Sequence, residues 1–378
     1  MPKKNLLYLA TFDPTVSATG TTTRGKLFLR FFSEHYHVHL VHLEEKQEVG
    51  RDEALLERLA SLKKVKFTPF NYFLYSPALS KAGCEVLEKN PVDFIFADFE
   101  KSGWYAYRLS RKYRIPYIYN SHNVEYLRYI DFARRNQLRY PLVPYMYLLE
   151  RIATRNALLT IAISDKDAHT FQRWAPKERV LAFPSAFDEE QFNPFYEDAG
   201  DTKPVVLMVG NYRNPGNREG AYLLYQRILP DVIARHPEVI FRCVGKDFPE
   251  DIRHPNIEVL GFVDDLMAEY RKAHLVIVPI TMGGGIKIKV IEGLATGKYV
   301  ISTPKGVEGI QTQGLVNLQV SSLEGFSACI NDALENPQPH TVENWERVRK
   351  EYGVHCQLNA LREQIEQVLV NYQQKRDG

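Results

Sequence analysis

Three consecutive glycines followed by two lysines form the segment of this sequence with the clearest chemical meaning. In order, the residues are Met282, Gly283, Gly284, Gly285, Ile286, Lys287, Ile288, Lys289 and Val290. Glycine lets the backbone approach a ligand closely. A helix that starts near Ile286 would offer free amides and the positive end of its dipole, which suit a phosphate. The segment therefore predicts a phosphate-binding loop. The plainer alternative is an ordinary turn before a helix with a solvent-exposed Lys289–Glu292 pair.

Helical geometry distinguishes the two lysines. Lys289 and Glu292 are three residues apart and share a face of the expected helix. Lys287 lies about 200° round the helix from Lys289. We expect Lys289 to neutralise a diphosphate and Glu292 to reach ribose hydroxyls one turn further on. Lys287 ranks lower because it would reach the ligand only through the first turn.

A second pattern, near the amino terminus, almost matches a P-loop. Gly20 is followed after four residues by Gly25 and Lys26. The match fails at Leu27, because the motif needs a Ser or Thr oxygen there to hold magnesium. A P-loop phosphotransferase that uses Gly20, Gly25 and Lys26 is kept as an alternative function.

A histidine follows one of the apolar runs. His122 comes two residues after the run 116–120, and parallel sheets bind ligands at the carboxyl ends of their strands. An imidazole at that place can hydrogen-bond a sugar hydroxyl or share a developing charge. The alternative is a loop histidine beside an Asn123 helix cap.

Two patterns bear on metal binding. Asp165 and Asp167 form an Asp-x-Asp pair that can hold manganese, but Ser164 and Asp167 also resemble a capping box at a helix start. The four cysteines have no CxxC spacing, which indicates neither a zinc site nor a disulfide framework. We expect a helix cap here and no metal.

The elements that position these residues alternate along the chain. Apolar runs without polar alternation, typical of strands buried on both faces of a parallel sheet, lie at 6–10, 37–43, 65–69, 92–97, 116–120, 158–163, 180–183, 205–209, 239–244, 257–260, 275–279 and 299–302. Amphipathic stretches lie between many of them, which predicts doubly wound α/β units. A polar segment with helix and strand breakers separates the two groups of runs. We expect two Rossmann-like domains facing across a cleft: an acceptor domain over 1–187, a linker over 188–204, a donor domain over 205–356, and a helix over 357–378 that docks back across the domains.

Composition excludes several classes of protein. The chain has 378 residues, of which 44% are hydrophobic and 25% charged, as in soluble globular proteins. Lys and Arg number 48 against 46 acids, and a nucleic-acid-binding protein normally carries a larger basic excess. No apolar stretch is long enough for a membrane span, and the run 6–10 is too short for a signal peptide. We expect a cytoplasmic protein with no nucleic-acid partner.

One segment is strongly basic. Residues 101–155 hold 11 Lys or Arg, three acids and ten tyrosines, a net charge of +8. Such a segment suits an anionic membrane surface or a phosphorylated acceptor. It also suits a solvated face with tyrosines packed inward. Peripheral contact with the inner face of the plasma membrane is therefore one of two interpretations.

Taken together, the motifs resemble those of a known family. Residues 283–297, with 300–304 and 306–309, resemble the donor-site signature of retaining glycosyltransferases of family 4, which have the GT-B fold. Residues 209–217 resemble the strand and loop that open the second domain, 261–265 the loop at the nucleotide base, and 183–194 the passage between domains. The resemblance implies His122 and Lys289 as catalytic residues. It implies nucleotide-sugar contacts from Gly20, Thr21, Asn211, Arg213, Val263, Gly283, Gly284, Gly285, Ile286, Lys287, Ile288, Lys289 and Glu292.

One departure from the family pattern concerns the mechanism. Many members have two glutamates separated by seven residues, and the first of these positions is Gly284 here. The absence of that side chain favours front-face displacement, in which the donor's own phosphate helps to deprotonate the acceptor. The resemblance implies transfer of a glucose-like hexose from a UDP-sugar to a carbohydrate or lipid-linked acceptor, with retention and without a metal. Bacterial polysaccharide synthesis is the implied setting, with cyanobacterial heterocyst-envelope enzymes as one candidate group. A non-catalytic nucleotide-sugar binder is the remaining alternative.

Overall fold

The computed structural model describes residues 3–16, 20–44, 52–66, 68, 75–99, 101–135, 137–183, 187, 189, 192, 203–283, 286–336 and 343–377. Within these ranges the side chains of 20–23, 131, 132, 135, 343 and 377 are not described. The chain divides into two compact units. Unit 1 comprises Met1–Pro184 with Ala360–Gly378, and unit 2 comprises Ser185–Asn359.

Unit 1 is built on one parallel sheet. Its strands are β1 Asn5–Ala10, β2 His37–Glu44, β3 Ser61–Lys66, β4 Phe94–Asp98, β5 Tyr117–Asn120, β6 Leu159–Ala162 and β7 Val180–Ala182. They pair in the order β3-β2-β1-β4-β5-β6-β7. The connecting helices are α1 Gly20–His35, α2 Glu53–Glu57, α3 Pro77–Lys89, α4 Ser102–Tyr113, α5 Glu125–Arg135, α6 Leu142–Asn156 and α7 Asp165–Phe171. The 3₁₀ turns are Gln137–Arg139 and Lys177–Arg179. The order of strands reverses between β1 and β4, which is where such sheets bind ligands.

Burial explains why these residues form the centre of a sheet. β1 and β4 are buried over almost their whole length. Both faces of these strands therefore carry mainly apolar side chains. The edge strand β3 instead carries Lys63, Lys64 and Lys66. Lysines on an edge strand oppose pairing with another chain.

Unit 2 repeats this plan. Its strands are β8 Val205–Val209, β9 Ile240–Val244, β10 Ile257–Gly261, β11 Leu275–Val278, β12 Tyr299–Ser302 and β13 Leu318–Val320, in the order β10-β9-β8-β11-β12-β13. The helices are α8 Pro215–Leu223, α9 Leu229–Ile233, α10 Leu266–Lys272, α11 Ile288–Ala295, α12 Leu323–Glu335 and α13 Glu343–Tyr352, with a π turn at Leu224–Ile228. The strand order reverses between β8 and β11, and the glycine-rich segment follows β11.

The last helix, α14, spans Val354–Asp377, and its residues from Ala360 onward belong to unit 1. Ile365 and Leu369 are buried there. Glu366 accepts hydrogen bonds from Lys4 and from the Tyr36 hydroxyl. The end of the chain thus packs against its amino-terminal unit. No helix in the described part of the chain is both long enough and apolar enough to cross a membrane.

The predicted α/β class with two parallel sheets is confirmed, and each predicted strand has a counterpart. Four local details differ from the sequence analysis. β3 begins at Ser61 rather than at residue 65, because its polar first half has no apolar signal. β13 has no run in the sequence because it is a short, largely exposed edge strand. α11 begins at Ile288 rather than near Ile286, and α14 begins three residues before Gln357.

Candidate functional site

At the point where the strand order reverses in unit 2, the first turn of α8 and the loop after β11 come into contact. A Cβ atom on Gly216 would lie 2.7 Å from the carbonyl oxygen of Met282, so only glycine permits this approach. The loop after β9 is equally close to β8. Gly245 has φ +128°, and a Cβ atom there would lie 1.8 Å from the Gly210 carbonyl oxygen. Two glycines outside the triple-glycine run therefore bring the loops of this site together.

Lys289 lies in the first turn of α11 and reaches back to the loop after β8. Its Nζ donates to Asn217 Oδ1 at 2.7 Å, and Asn217 Nδ2 donates to the Asn211 carbonyl at 2.8 Å. A Cβ atom on Gly210 would lie 3.0 Å from the same Nζ. The structure thus brings Lys289 and Asn211, which the sequence analysis selected separately, to one place. Asn217 is the residue that joins them, and sequence reasoning had not assigned it a role.

The environment of Lys289 makes its charge costly. Burial lowers the pKa of Lys289 to about 8, although the nearby Glu292 favours the charged form. Among the described residues, no carboxylate lies within ion-pair distance of Nζ. Even partial burial of a cation without an ion pair costs free energy. A bound diphosphate would remove that cost by accepting charge-assisted hydrogen bonds.

Glu292 lies one turn further along α11. Its Oε2 accepts a hydrogen bond from the Tyr270 hydroxyl at 2.9 Å. Burial raises the pKa of this carboxyl group, while the Tyr270 hydrogen bond and the Lys289 charge oppose that rise. Within the described part of the chain, Oε1 has no hydrogen-bond partner. The geometry therefore leaves one carboxylate oxygen able to accept a hydrogen bond from a ligand hydroxyl.

The start of α11 supplies backbone donors. Lys287 is the N-cap residue, and its side chain makes no capping hydrogen bond to the first amides of the helix. Gly283 has φ +99° and no atoms within 4 Å of its Cβ position, so the loop is left-handed and open there. Ile286 packs against Gly309, whose Cβ position is 3.2 Å from it. Gly284 and Gly285 lie outside the described residues. Uncapped amides at a helix start favour an anion.

The other predicted residues of unit 2 differ in their surroundings. Lys287 is half-buried, and burial lowers its pKa. Arg213 has a side chain that is 80% exposed and pairs with Asp247 at 3.0 Å. Val263 packs against the core. The neighbouring Phe262 is exposed, with Lys246 Nζ 4.8 Å from its ring centroid.

In unit 1, His122 belongs to a buried polar cluster at the carboxyl ends of β4 and β5. Its Nε2 lies 2.8 Å from Asp98 Oδ1. Asn120 Nδ2 donates to the same oxygen at 2.7 Å, and the Tyr8 hydroxyl donates to Asp98 Oδ2. All four side chains are buried. The Asn123 cap that the sequence offered as an alternative is not seen: Asn123 Nδ2 donates to Glu125 Oε1 at 3.2 Å, and the amides of Glu125 and Tyr126 donate to Glu150.

Asp98 decides which nitrogen of His122 can meet a ligand. Because a carboxylate accepts, Nε2 carries the proton in this contact. Among the described residues, Nδ1 has no partner. The ring lies edge-on to Phe12 and Phe99, and Phe99 has the strained φ of +75°. Sequence reasoning missed Asp98. The one available signal was an acid at the end of a buried strand.

The near-match to a P-loop is wrong. Gly25 lies inside α1, and a Cβ atom there would be 2.5 Å from the Phe12 ring. Lys26 Nζ lies 3.5 Å from Asp52 Oδ2. A P-loop instead places its second glycine and its lysine around a phosphate at the helix start. Gly20 is the first residue of α1, and the side chain of Thr21 lies outside the described residues.

The capping box at α7 is confirmed. Ser164 is the N-cap residue, and its Oγ accepts from the Asp167 amide at 3.2 Å. Burial raises the pKa of Asp167. In the described part of the chain, no three His, Cys, Asp or Glu side chains are grouped as metal ligands.

Comparison with protein families gives two matches. Residues 26–191 match the model described as Glycosyltransferase Family 4. Residues 203–336 match the model described as Glycosyl transferases group 1. A Klebsiella pneumoniae protein described as "Uncharacterized 44.6 kDa protein in cps region" is 23% identical over 186 residues, which are 46% of this chain and 46% of that protein. The aligned part therefore spans less than half of that relative.

Solved structures share the fold over nearly the whole chain. Anabaena Alr3699/HepE in complex with UDP has a TM-score of 0.70 at 16% identity, with 96% of this chain and 100% of that chain covered. The same protein in complex with UDP-glucose gives a TM-score of 0.67. Sucrose-phosphate synthase from Thermosynechococcus elongatus gives a TM-score of 0.70 at 17% identity over 98% of this chain and all of that one. These similarities show the fold.

Proposed function

We propose that this chain, whose two glycosyltransferase domains have the GT-B fold, transfers a hexose from a UDP-sugar to a carbohydrate or lipid-linked carbohydrate acceptor with retention of configuration. The observation that carries the proposal is Lys289. It is a half-buried amine with no ion pair to a described carboxylate, held by Asn217 at the reversal point of a parallel sheet. Glu292 lies one turn away with one carboxylate oxygen available. A nucleoside diphosphate satisfies both groups.

The choice of uridine and of polysaccharide synthesis rests on the relatives. HepE is described in complexes with UDP and with UDP-glucose. The Klebsiella relative is described as lying in the cps region. We therefore take UDP-glucose as the first donor to test and polysaccharide biosynthesis as the setting, in the cytoplasm.

The chemistry follows from where charge develops. When the sugar–phosphate bond breaks, negative charge builds on the departing diphosphate. Lys289 and the amides at the start of α11 would stabilise this charge. Electrostatic stabilisation by fixed donors is usually the largest single contribution to catalysis. This charge neutralisation is what we propose in place of a metal ion. His122, oriented by Asp98, would hold a hydroxyl of the donor sugar through Nδ1.

The acceptor would be activated without a covalent enzyme intermediate. Gly284 provides no carboxylate near the expected sugar position. We propose that the donor's phosphate takes the acceptor proton on the same face as the departing group. Retention of configuration would then follow from front-face attack.

Calorimetric titration with UDP, UDP-glucose, UDP-galactose, ADP-glucose and GDP-mannose tests the donor. We expect micromolar binding of uridine nucleotides that persists with a chelator present. Lys289→Met should abolish it, whereas Lys350→Met, which changes an exposed lysine of the same unit, should not. Tight binding with a different base would change the donor assignment, and equal binding by both lysine variants would end the proposal.

Release of UDP distinguishes the enzyme from a non-catalytic binder. Wild-type protein should release UDP from UDP-glucose faster when a carbohydrate or lipid-linked acceptor extract is added. If the protein binds UDP-glucose but releases no UDP with any acceptor extract, the result would favour a non-catalytic nucleotide-sugar binder.

A further inference from the structure

The hydroxyl that holds Glu292 comes from a residue outside the glycine-rich segment. Tyr270 lies in α10, and its hydroxyl donates to Glu292 Oε2 at 2.9 Å. The Tyr270 side chain is fully buried, whereas Glu292 is half-buried and keeps contact with solvent. Binding of a diphosphate by Lys289 and the α11 amides does not involve this tyrosine, so its place beside Glu292 calls for a separate explanation.

The hydrogen bond between these two side chains has a fixed direction. Burial raises the pKa of Tyr270, and the nearby Glu292 raises it further, so the hydroxyl keeps its proton and donates. Because Oε2 accepts from Tyr270, the carboxylate cannot turn about its last side-chain bond without losing this contact. Among the described residues, Oε1 has no hydrogen-bond partner. The two oxygens of Glu292 are therefore inequivalent: the protein holds one, and the other is open to a ligand.

The Tyr270 ring is itself held in place from two directions. α10 begins at Leu266 with Asp265 as its N-cap residue, whose side chain accepts from the Ala268 amide at 2.9 Å. The Phe192 ring meets the Tyr270 ring almost edge-on, at an interplanar angle of 80° with the centroids 5.8 Å apart. Edge-to-face pairs stabilise a structure beyond the area that they bury, so Phe192 restrains the tyrosine ring.

Phe192 connects a further sequence motif with the donor site. It lies in the stretch 183–194, which sequence analysis selected for its resemblance to a passage between domains. Phe187 lies in the same stretch, and both phenylalanines belong to the buried cluster that contains Tyr270. The Phe187 ring instead meets Trp345, with centroids 5.9 Å apart. Of these two rings, only Phe192 pairs with Tyr270.

We propose that Tyr270 is a positioning residue for recognition of the nucleotide ribose, and that Phe192 holds its ring in place. Tyr270 fixes Oε2 of Glu292, so that Oε1 accepts a hydrogen bond from a ribose hydroxyl. A carboxylate that is ordered in advance loses less entropy when the ligand binds, which raises affinity. This inference rests on the proposed function, because it takes the ligand to be a ribonucleotide. Both added residues act through Glu292 and do not touch the sugar.

Paired titrations with UDP and its 2′,3′-dideoxy analogue test the role of Tyr270. Wild-type protein should prefer UDP about tenfold. Tyr270→Phe should reduce the preference to about twofold by weakening UDP alone, because the hydrogen bond that holds the carboxylate is lost. A merely structural loss would weaken both nucleotides alike and leave their ratio at about tenfold, which would overturn the proposal.

Tyr352→Phe is the matched control for this variant. Tyr352 is a buried tyrosine of the same cluster, and its hydroxyl accepts from the Gln311 amide at 2.9 Å. Its replacement also removes one buried hydroxyl and one hydrogen bond, but at a distance from Glu292 along the chain. The preference for UDP should therefore stay at about tenfold, and a loss equal to that of Tyr270→Phe would count against a specific role for Tyr270.

Two leucine variants test the ring contact. Phe192→Leu removes the edge-to-face partner and leaves the Tyr270 hydroxyl, so the preference for UDP should fall only part of the way, to about fourfold. Phe187→Leu removes the contact with Trp345 instead and should keep the preference of the wild type. Equal preferences in the two leucine variants would overturn the role of Phe192.

A double-mutant cycle shows whether Tyr270 acts through Glu292. In the Glu292→Met background, Tyr270→Phe should change the affinity for neither nucleotide. In urea unfolding without ligand, the double variant should lose less stability than the sum of the two single losses, because each single change leaves the other group without its partner. Additive losses of UDP affinity would show that Tyr270 acts elsewhere and would overturn the proposal.

The results separate this inference from the proposed function. If the wild type prefers UDP and Tyr270→Phe keeps the full preference, the positioning role is wrong and the donor assignment stands. If the wild type binds neither nucleotide, the proposed function is wrong and the ribose assignment falls with it. The urea cycle would still measure the contact between Tyr270 and Glu292 in that case.

Discussion

Lys289→Met should stabilise the free protein while abolishing its affinity for UDP. The pKa of Lys289 drops from an ordinary 10.5 to about 8. At about 1.4 kcal/mol for each pKa unit, this drop corresponds to about 3.5 kcal/mol. Because the Lys289 side chain is only half-buried, solvent screening reduces the cost of the charged amine in the folded state to about 2 to 3 kcal/mol. Methionine has a similar length and no charge, but it leaves Asn217 Oδ1 without its donor, at about 1 kcal/mol. The net expectation is a gain of about 1 to 2 kcal/mol at neutral pH.

The pH dependence has a definite sign. Below about pH 8 the amine is charged in both states and the folded protein bears the full cost. Between about pH 8 and 10.5 the folded state has lost a proton that the unfolded chain still binds, so this group makes stability rise with pH. UDP needs the charged form. Its affinity should therefore fall as pH rises through 8, and binding above that pH should take up a proton.

Urea unfolding and calorimetry in two buffers of different ionisation heat measure these effects. Lys350→Met should change neither the free energy of unfolding nor the affinity, and Lys289→Arg should bind UDP without the pH dependence. The reasoning is refuted if Lys289→Met destabilises the protein at neutral pH, or if wild-type affinity stays constant across the pH range without proton uptake.

Three further variants test other parts of the two sites. Asp98→Asn should lower the transfer rate about 100-fold through His122 and leave UDP affinity unchanged. Asp93→Asn, at the opposite end of β4 where Asp93 accepts from the Asn5 amide, should preserve the rate, and equal losses would make the Asp98 effect merely structural. Wild-type protein should bind UDP about tenfold more tightly than its 2′,3′-dideoxy analogue. Glu292→Met should remove this preference, so that both bind with the same affinity. A persisting difference would place ribose recognition elsewhere. Gly245→Ala should cost more than about 3 kcal/mol in urea unfolding, because it adds a clash to a left-handed backbone. Gly261→Ala, with φ +69° but open space around it, should cost about 1 kcal/mol, so similar losses would show that the close approach to Gly210 is unimportant.

Much of the fold was accessible from the sequence because buried parallel strands have a local signature. Each of β1, β4, β8 and β11 is a short apolar run without alternation, and such runs report burial on both faces. β13 and the first half of β3 lack that signature because they lie at sheet edges. An apolar run indicates burial, and these edge residues are partly or fully exposed.

The same distinction applies to the candidate sites. Three features of the sites are local in sequence: the shared helix face of Lys289 and Glu292 follows from helix periodicity, and the glycine loop and the Ser164 cap follow from residue type. The partners of these residues are not local. Asn217 is 72 residues from Lys289, and Asp98 is 24 residues from His122.

The sequence by itself therefore determined the class of fold, the helix that carries Lys289, and the basic character of residues 101–155. Only the tertiary structure decided that Asn217 holds Lys289, that Asp98 orients His122, and that Lys26 has a different role from a P-loop lysine. Contacts across a sheet depend on strand order and on close approaches such as that of Gly245 to Gly210, and no periodic pattern along the chain encodes those distances.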